Sequence, residues 1–319
     1  MFDFVSMGTL LVDFTPVEDS EKNLLVQNAG GATANLAVAV SRLGLKSAFI
    51  GKTGDDRFGH FLKSALEKEN VDTSNLVFDD CHRTALAFID LHRRGSGKYT
   101  FYHSQSADMF LKYSEINTEL IENCRVFHFG SFSLISEPVC EATINAVKLA
   151  KRNNKIVTYD PNYRESLWHS RDEAFEKLNM LVNYCDIIKF SEDEFQFMTN
   201  SDNLIRGVAN LLKCGVKIIL ISQGANGCIV ASRKGIQQIP THKIDIVDTT
   251  GSGDAFFGAF IYKILSEGKN IEDYSNSELC EFARFANAGG SICATDIGAL
   301  SAMPDVNAIN RFMAENTIK

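Results

Sequence analysis

The chain has 319 residues and a formal net charge of −8 at pH 7. This length allows one large domain with a substantial core, and no Pro/Gly/Ser-rich linker or break in composition divides it, so we predict a single domain over residues 1–319. The acidic balance argues against nucleic acid or an anionic membrane surface as the main partner, because both bind basic surfaces. A soluble enzyme that acts on small molecules fits better.

The cysteines and the N-terminal residues bear on the cellular compartment. Eight cysteines are scattered along the chain, with no CxxC pair and no Cys/His cluster at metal-ligand spacing. We therefore predict reduced core cysteines in a cytoplasmic protein. The first residues, "MFDFVSMGTLLVDF", lack a basic segment and carry acids at Asp3 and Asp13, so they predict the first strand of the fold rather than a signal peptide or a membrane span.

Short apolar runs alternate with helix-length amphipathic segments along the chain. Apolar residues three and four positions apart between Phe58 and Leu66 predict one amphipathic helix, and the same spacing recurs over residues 175–182. The runs themselves are apolar at successive positions, which is typical of strands covered by helices on both faces of a parallel sheet. They span residues 46–51, 124–130, 155–160, 186–190 and 216–222. This alternation predicts a doubly wound α/β fold whose ligands bind at the carboxyl ends of the strands.

One segment breaks the alternation. Residues 84–103, "TALAFIDLHRRGSGKYTFYH", contain two strand-like runs joined by a Gly-rich turn, which predicts a hairpin. Together with residues 10–28, this hairpin would form a small β-sheet lid that projects from the main sheet. Apolar residues on the hairpin, such as Phe88 and Phe101, favour a homodimer through the lid, although they could equally pack on the main sheet.

The stretch "VDTTGSGDAFFGAF", residues 247–260, places a Gly-Ser-Gly turn and an acid at the start of an apolar helix. Unpaired amides at a helix N-terminus form an anion site, and glycines let an oxyanion approach the backbone closely. Asp254 then has two interpretations. It could be an N-cap beside a tight turn, or a general base that removes a proton from a substrate hydroxyl while the adjacent amides stabilise a transferring phosphoryl group.

This stretch resembles the C-terminal signature of the ribokinase-like (PfkB) carbohydrate kinases, whose usual form is D-T-x-G-A-G-D; Ser252 replaces a common Ala. The resemblance covers nearly the whole chain. It implies a ribokinase-like fold, an anion hole made by Gly251, Ser252 and Gly253, and Asp254 as the catalytic base. The chain has no Walker A motif and no GxGxxG, so P-loop and Rossmann folds lack their main sequence support.

The resemblance also places a sugar site near the N-terminus. The stretch "NAGGATANLAVAVSRLG", residues 28–44, is similar to the first family signature. There, Gly30 and Gly31 would let a sugar lie against the backbone, and Asn35 would contact it. Asp13 corresponds to an acid that binds sugar hydroxyls, for which a carboxylate is a suitable acceptor. Without the resemblance, these residues would predict an ordinary helix start and an acid that faces water.

Several stretches resemble fructokinases within this family, namely "SADMFL", "FHFGSFSLISEP", "DPNYRESLW" and "DIIKFSEDEFQFMT". They make Asn162 and Arg164 candidates for contacts with sugar or phosphate, although Arg164 could instead be a surface ion-pair residue. Three positions depart from the fructokinase pattern: Thr9 replaces a common Glu, and in "FYHSQSADM" His103 replaces an Arg and Gln105 a Pro. An imidazole cannot form the bidentate hydrogen bonds of a guanidinium, so contact between His103 and the sugar is expected to be weaker or to have a different direction. The alternative is an exposed histidine on the hairpin.

The resemblance implies ATP and Mg²⁺ as ligands. Glu194 in "SEDE" would help organise Mg²⁺ through water, although acids at the start of a helix often only complement its dipole. The turn "SQGANG" would place Ser222, Gly224 and Gly227 near a nucleotide phosphate or ribose, and Asn287 would lie beside adenine. The alternatives are an ordinary strand-end turn and an Asn on a helix surface.

A monovalent cation, K⁺, is a further ligand implied by the resemblance. The stretch "TDIGALSAMP", residues 295–304, which contains Gly298, is similar to a loop that holds such a cation together with Asp248 and Thr250. Backbone carbonyls would do most of this binding.

The sequence therefore predicts an ATP-dependent kinase for the primary hydroxyl of a sugar, with D-fructose and fructose 6-phosphate as the expected substrate and product. Asp254 would take the proton while Mg²⁺ and the amides of residues 251–254 stabilise the transferring phosphoryl group, and lid closure would exclude water. Ribose, 2-keto-3-deoxygluconate or another ketose is an alternative substrate. A catalytically silent, fructokinase-like scaffold is an alternative of another class, against which the retained Gly251, Gly253 and Asp254 argue.

Overall fold

The computed structural model describes residues 1–17, 24–91 and 97–316. In chain order, the strands within these ranges are β1 (Phe2–Met7), β2 (Leu11–Pro16), β3 (Leu25–Gly30), β4 (Ser47–Gly54), β5 (Asp72–Asp79), β6 (Ala85–Leu91), β7 (Gly97–Tyr102), β8 (Cys124–Gly130), β9 (Ile156–Asp160), β10 (Ile187–Ser191), β11 (Ile218–Ser222), β12 (Cys228–Ser232) and β13 (Gly235–Ile239).

The α-helices lie between these strands and after them. They are α1 (Ala32–Arg42), α2 (Arg57–Lys68), α3 (Thr118–Glu122), α4 (Val139–Arg152), α5 (Arg171–Asn179), α6 (Glu192–Thr199), α7 (Leu204–Lys213), α8 (Ser252–Glu267), α9 (Asn276–Cys293) and α10 (Val306–Glu315). Side-chain caps fix several of their starts. Asp56, for example, accepts hydrogen bonds from the Phe58 and Gly59 amides at the start of α2, as expected of an N-cap acid.

The main sheet has nine strands in the order β13-β12-β11-β10-β9-β8-β1-β4-β5. Seven neighbouring strands run parallel, in the spatial order β11, β10, β9, β8, β1, β4 and β5. β12 and β13 add an antiparallel edge next to β11. Successive residues point to opposite faces, so Phe4 packs in the core beneath α1, α8 and α9, and Val5 in the core beneath α4 to α7. The five predicted apolar runs all become strands of this sheet, which confirms the doubly wound α/β architecture.

The smaller sheet has the order β3-β2-β6-β7 and confirms the predicted β-sheet lid. β2 runs parallel to β6, while the β2–β3 and β6–β7 pairs are antiparallel. Asp13 on β2 lies opposite Asn28 and Ala87, its neighbours on either side. Residues 18–23 of the predicted lid, and 92–96, where most of the predicted Gly-rich turn falls, lie outside the described residues.

The N-terminal residues 1–14 enter two strands, β1 and β2, where the sequence predicted one. The chain leaves the main sheet after β1, passes Gly8 and enters the lid as β2. Gly8 has φ +153°, and a Cβ at this position would lie 2.8 Å from the Thr33 side chain. The chain therefore turns from one sheet to the other where only glycine fits against α1.

The chain passes between the two sheets at residues 8–10, 31, 80–84 and 103–106. The first two passages touch each other, because a Cβ on Gly31 would lie 2.4 Å from the Thr9 carbonyl oxygen and the Thr33 hydroxyl donates to that same oxygen at 3.1 Å. These passages bring lid residues over the carboxyl ends of β1, β8 and β9.

Candidate active site

The glycine turn at residues 250–253 leads directly into α8. Gly251 occupies the N-cap position with φ +78° and makes no side-chain cap, and α8 begins at Ser252. A Cβ on Gly251 would lie 2.8 Å from the Cβ of Ala299, so the close packing and the positive φ both require glycine. Asp254 lies in the first turn, and its Oδ2 accepts a hydrogen bond from Asn35 Nδ2 at 2.8 Å. The interpretation of Asp254 as the N-cap is therefore wrong.

A narrow cavity of about 90 Å³, which we call the inner cavity, lies between the lid and the carboxyl ends of β1, β8 and β9. The structure brings most of the predicted sugar-site and catalytic residues to its wall. These are Asp13, Gly31, Asn35, Asn162, Arg164, Gly251 and Asp254.

Two alternatives for these residues are excluded by their burial and contacts. Asp13 is only 6% exposed, so it does not face water. The Arg164 guanidinium lies over the Tyr99 ring, 5.8 Å from its centroid, and Arg164 lines the cavity instead of serving only as a surface residue.

Gly30 and His103 do not line the inner cavity. Gly30 instead lies behind Asp13, since a Cβ on it would come within 2.0 Å of Asp13 Oδ2, and it thereby makes room for that carboxylate. His103 is only 2% exposed, and its Nε2 lies 2.7 Å from Asp108 Oδ2. The interpretation of His103 as an exposed hairpin histidine is wrong, and its ring lies against Asp108 instead of lining the inner cavity.

The carboxyl groups of the inner cavity have unusual acidities. Burial raises the pKa of Asp254 to about 7, and the charge of Asp160 adds to this rise, while the Asn35 hydrogen bond and the charges of Lys189 and Arg164 oppose it. Burial, together with the charges of Asp248 and Asp254, raises the pKa of Asp13 to about 7. A carboxylate whose pKa lies near neutral pH is suited to act as a general base.

A second, larger cavity of about 540 Å³, the outer groove, lies on the other side of the glycine turn. The predicted nucleotide residues Ser222, Gly224, Gly227 and Asn287 all line it. Asn287 is 5% exposed and donates from Nδ2 to the carbonyls at positions 239 and 240, at 3.2 and 3.1 Å. It is therefore a buried residue that ties α9 to the end of β13, and the interpretation as a helix-surface Asn is wrong.

The two cavities share the glycine turn as a common wall. Gly251 and Asp254 line the inner cavity, whereas Ser252 and Gly253 line the outer groove. The backbone amides at the start of α8 thus lie where a group in one cavity would meet a group in the other. A helix N-terminus at that point is suited to an anion.

A buried ion pair that was not predicted from the sequence lies beside this wall. Lys189 on β10 is 8% exposed, and its Nζ lies 2.9 Å from Asp160 Oδ2 at the end of β9. A Cβ on Gly253 would come within 3.0 Å of the same Nζ. Burial lowers the pKa of Lys189, but the charges of Asp160, Glu194 and Asp254 outweigh burial and raise it overall. The signal in the sequence is a lone lysine inside the apolar strand "DIIKF", because buried lysines are rare unless they are paired.

Other lining residues of the inner cavity were also missed, among them Thr9, Thr33, Tyr99, Ser131 and Phe132. Tyr99 OH lies 3.2 Å from Thr250 Oγ1, which links the lid to the glycine turn. The Ser131 hydroxyl is buried and has no hydrogen-bond partner among the described residues. Only the stretch "FHFGSFSLISEP" pointed to Ser131 and Phe132, and it did so without indicating their roles.

Glu194 lies at the start of α6 and forms a capping box with Ser191. Its Oε1 accepts from the Tyr163 amide at 2.8 Å and its Oε2 from the Ser191 amide at 2.7 Å. Both carboxylate oxygens are therefore engaged by backbone donors, and Glu194 closes a capping box at the start of α6, which the sequence analysis did not predict. Within the described ranges, no three His, Cys, Asp or Glu side chains come together as a metal cluster.

Asp248, Thr250 and Gly298 lie together as predicted. Asp248 Oδ1 accepts from the Thr250 amide at 2.9 Å and from its hydroxyl at 2.7 Å, while Oδ2 accepts from the Gly298 amide at 3.1 Å. Asp248 is 5% exposed. Its carboxylate thus joins the loop before α8 to the loop after α9 and raises the negative charge near Asp13.

The sequence matches a known family along almost its whole length. Residues 1–306 match the family described as pfkB family carbohydrate kinase. Fructokinase-1 of Oryza sativa subsp. japonica is 42% identical over 305 residues, which cover 94% of this chain and 94% of that protein. The chain belongs to the pfkB family of carbohydrate kinases.

Solved structures with bound ligands share this architecture. A double mutant of the fructokinase from Vibrio cholerae O395, with fructose, ADP and potassium bound, has 32% sequence identity and a TM-score of 0.88, with 98% of each chain covered. The fructokinase from Xylella fastidiosa with bound ATP has 26% identity and a TM-score of 0.89 over 98% of each chain. The protein is accordingly a sugar kinase with a ribokinase-like fold. None of the described helices is both long and apolar enough to cross a membrane.

Proposed function

We propose that this sugar kinase transfers the γ-phosphoryl group of ATP to the primary hydroxyl of D-fructose, giving fructose 6-phosphate and ADP. One observation carries the proposal. The glycine turn separates the two cavities, with Asp254 on the inner wall and Gly253 on the outer wall. A sugar in the inner cavity and ATP in the outer groove would therefore meet at the N-terminus of α8. The fructokinase relatives support fructose as the sugar.

Asp254 is the general base in this proposal. Its carboxylate is held by Asn35 and has a pKa of about 7, so it accepts the hydroxyl proton near neutral pH. The hydroxyl oxygen forms a bond to the γ-phosphorus as the bond to the bridging oxygen breaks and ADP leaves. The amides of Gly251, Ser252 and Gly253 donate to the phosphoryl oxygens, where negative charge is concentrated in the transition state.

The sugar is held by groups from both the lid and the main sheet. Asp13 offers a buried carboxylate acceptor to sugar hydroxyls, and Arg164 and Asn162 reach the cavity from the loop after β9. Tyr99 and Phe101 cover the cavity from the lid side. His103 and Gly30 act behind this wall, without direct sugar contact. Covering the cavity excludes water and so limits hydrolysis of ATP.

Mg²⁺ would be held mainly by ATP phosphates and water, because both Glu194 oxygens already accept amide bonds. When bound, it neutralises phosphate charge. Glu194 fixes the Tyr163 amide beside the cavity and reaches the metal only through water. Glu194→Gln is therefore expected to lower stability by about 1 kcal/mol through the weakened cap and to leave the Mg²⁺ dependence of turnover nearly unchanged.

A monovalent cation, K⁺, fits beside Asp248. This buried carboxylate adds to a cluster of negative charge with Asp13 and Asp254, and its loop partners are Thr250 and Gly298. A cation there would offset that charge next to the anion-binding turn. The support is the charge of the cluster and the potassium-bound relative. Turnover measured in KCl, NaCl and tetramethylammonium chloride at equal ionic strength tests it.

The lid also supports a proposed homodimer. Leu25 and Val26 on β3, and Leu24 just before it, are 46–52% exposed, and Tyr102 on β7 at the opposite edge of the lid is 63% exposed. A second lid would cover these apolar side chains. Sedimentation of the wild type and of the double variant Leu25→Glu/Tyr102→Glu tests this.

We also propose a cytoplasmic location, supported by the free state of all eight cysteines.

The experiment for the proposed function is an ATP-coupled assay across a panel of D-fructose, ribose, 2-keto-3-deoxygluconate and further ketoses. The expected result is the highest kcat/KM with fructose, and a product phosphorylated at position 6. A higher kcat/KM with another sugar would replace fructose but keep the kinase. Binding of ATP without turnover of any sugar would favour the scaffold.

A further inference from the structure

The loop after β9, residues 161–164, carries two polar side chains of the inner cavity. Asn162 and Arg164 both line that cavity, and Tyr163 stands between them in the chain. Asn162 has φ +41°, in the left-handed region that costs free energy for residues other than glycine, although Asn tolerates it better than most. A residue keeps such a conformation only where its surroundings hold it there.

Two buried carboxylates hold this loop through its amides. Asp160 Oδ1 accepts from the Asn162 amide at 3.0 Å, and Glu194 Oε1 accepts from the Tyr163 amide at 2.8 Å. Asp160 and Glu194 are 4% and 7% exposed, so water competes little for these bonds. The Tyr163 ring also stacks on Phe197, one turn further along α6, with centroids 4.7 Å apart. Residue 163 is therefore tied to α6 by its amide and by its ring.

The Tyr163 backbone in turn holds the Arg164 guanidinium. Arg164 Nη1 donates to the Tyr163 carbonyl oxygen at 3.1 Å, and the guanidinium lies over the Tyr99 ring of the lid. A continuous chain of contacts thus runs from the Glu194 carboxylate, through the Tyr163 amide and carbonyl, to the head group of Arg164. Glu194 itself lines neither the inner cavity nor the outer groove. Through this chain, the start of α6 determines where Arg164 lies.

We propose that Glu194 is a positioning residue that sets the affinity for the sugar by holding Tyr163 and, through it, Arg164. This role rests on the sugar site of the proposed function and is distinct from a role in organising Mg²⁺. Loss of contacts that are equally strong in the bound state and the transition state raises KM without changing kcat. Removing the Glu194 carboxylate should therefore raise the KM for the sugar and leave kcat, the KM for ATP and the Mg²⁺ dependence almost unchanged.

The test compares Glu194→Ala with Ser191→Ala, with D-fructose and ATP as the varied substrates. Both variants break the capping box of α6, in which Ser191 Oγ accepts from the Glu194 amide at 3.3 Å, but only Glu194→Ala releases the Tyr163 amide. Glu194→Ala is expected to raise the fructose KM about tenfold, as for the loss of one hydrogen bond to a charged group. Ser191→Ala should keep the fructose KM within about twofold of wild type, and both variants should keep kcat, the ATP KM and the Mg²⁺ requirement within about twofold.

A double-mutant cycle with Arg164→Ala shows whether Glu194 acts through Arg164. Arg164→Ala alone should also raise the fructose KM. Adding Glu194→Ala should then raise it much less than in the wild-type background, because the side chain that Glu194 positions is already absent. Fructose KM increases that multiply in the double variant would overturn the proposal.

Thermal melts show whether each variant is folded. If Glu194→Ala is not, Phe197→Leu decides, because it removes the ring stacked on Tyr163 and leaves both carboxylates in place; its fructose KM should rise, and an unchanged value would overturn the proposal. The proposal also fails if Glu194→Ala and Ser191→Ala give equal fructose KM values, or if Glu194→Ala raises the ATP KM or the Mg²⁺ requirement more than the fructose KM. Wild-type protein without fructose turnover would instead contradict the proposed function, so the two failures differ.

Discussion

Asn35 on α1 donates a hydrogen bond to Asp254 on α8, from Nδ2 to Oδ2 at 2.8 Å. The two helices can approach closely because α8 has glycine at position 258, where a Cβ would lie 2.7 Å from the Cβ of Ala39. This bond links α1, which begins beside the inner cavity, to α8, which begins at the glycine turn. It also favours the ionised form of Asp254 against the effect of burial.

Asp254→Asn tests the base directly. The amide can still accept the Asn35 hydrogen bond but cannot take a proton, so kcat should fall by about 10²–10⁴-fold. The fold should hold, since Asp254 does not cap α8. The coupled assay and thermal melts on the same samples measure both quantities. Turnover close to wild type in a folded variant would exclude Asp254 as the base.

The stability of the same variant should depend on pH in a defined direction. The pKa of Asp254 rises from the ordinary 3.8 to about 7 in the folded protein. The folded state therefore binds this proton more tightly than the unfolded state, and stability falls as pH rises from about 4 to 7, then stays level. Urea unfolding should show that the free energy of unfolding of the wild type, relative to that of Asp254→Asn, decreases between pH 5 and pH 8. Parallel pH profiles for the two proteins would contradict this.

Asn35→Leu should move the pH dependence of turnover. Removing the amide donor leaves the Asp254 carboxylate less stabilised, so its pKa rises further. The acid limb of kcat/KM, which reports the base in the free enzyme, should therefore shift to higher pH. Asn35→Asp is an informative partner variant, because a second carboxylate at this distance should shift the limb upward as well. An unshifted limb in both variants would mean that another group titrates.

The glycine turn and the two cavities show what the sequence could predict. Gly251 and Asp254 stand in one contiguous signature, so the sequence alone predicted that they lie together at the start of a helix. Lys189 and Asp160, by contrast, come together only because β9 and β10 are neighbours in the sheet. The position of the His103 ring against Asp108 could not be predicted either, because it depends on Asp108 and on the turn at Gln105.

Gly253→Ala should weaken the use of ATP more than the binding of the sugar. An added Cβ would lie 3.0 Å from the end of the Lys189 side chain, which is flexible enough to move, so the protein should fold. The methyl group would project at the wall of the outer groove, where the proposed function places the phosphates of ATP close to the backbone. We expect a higher KM for ATP and a lower kcat, with the sugar KM changed little. Ser252→Ala is the control, because it adds no atom at the groove wall: it loses only the bond from Ser252 Oγ to the Gly290 carbonyl at 2.9 Å and should keep a KM for ATP close to wild type.

Lys189→Met should destabilise the protein strongly. It leaves Asp160, which is 4% exposed, without its 2.9 Å partner, and breaking a buried pair typically costs about 3–5 kcal/mol. Adding Asp160→Asn removes the unpaired charge, keeps an acceptor for the Asn162 amide, and should restore much of the loss. The exposed Lys63, 3.7 Å from Glu67, is the control: Lys63→Met should cost less than about 1 kcal/mol. Urea unfolding of the four proteins measures these differences. A loss of similar size in Lys189→Met and in the double variant would show that the charge of Asp160 is not what Lys189 compensates.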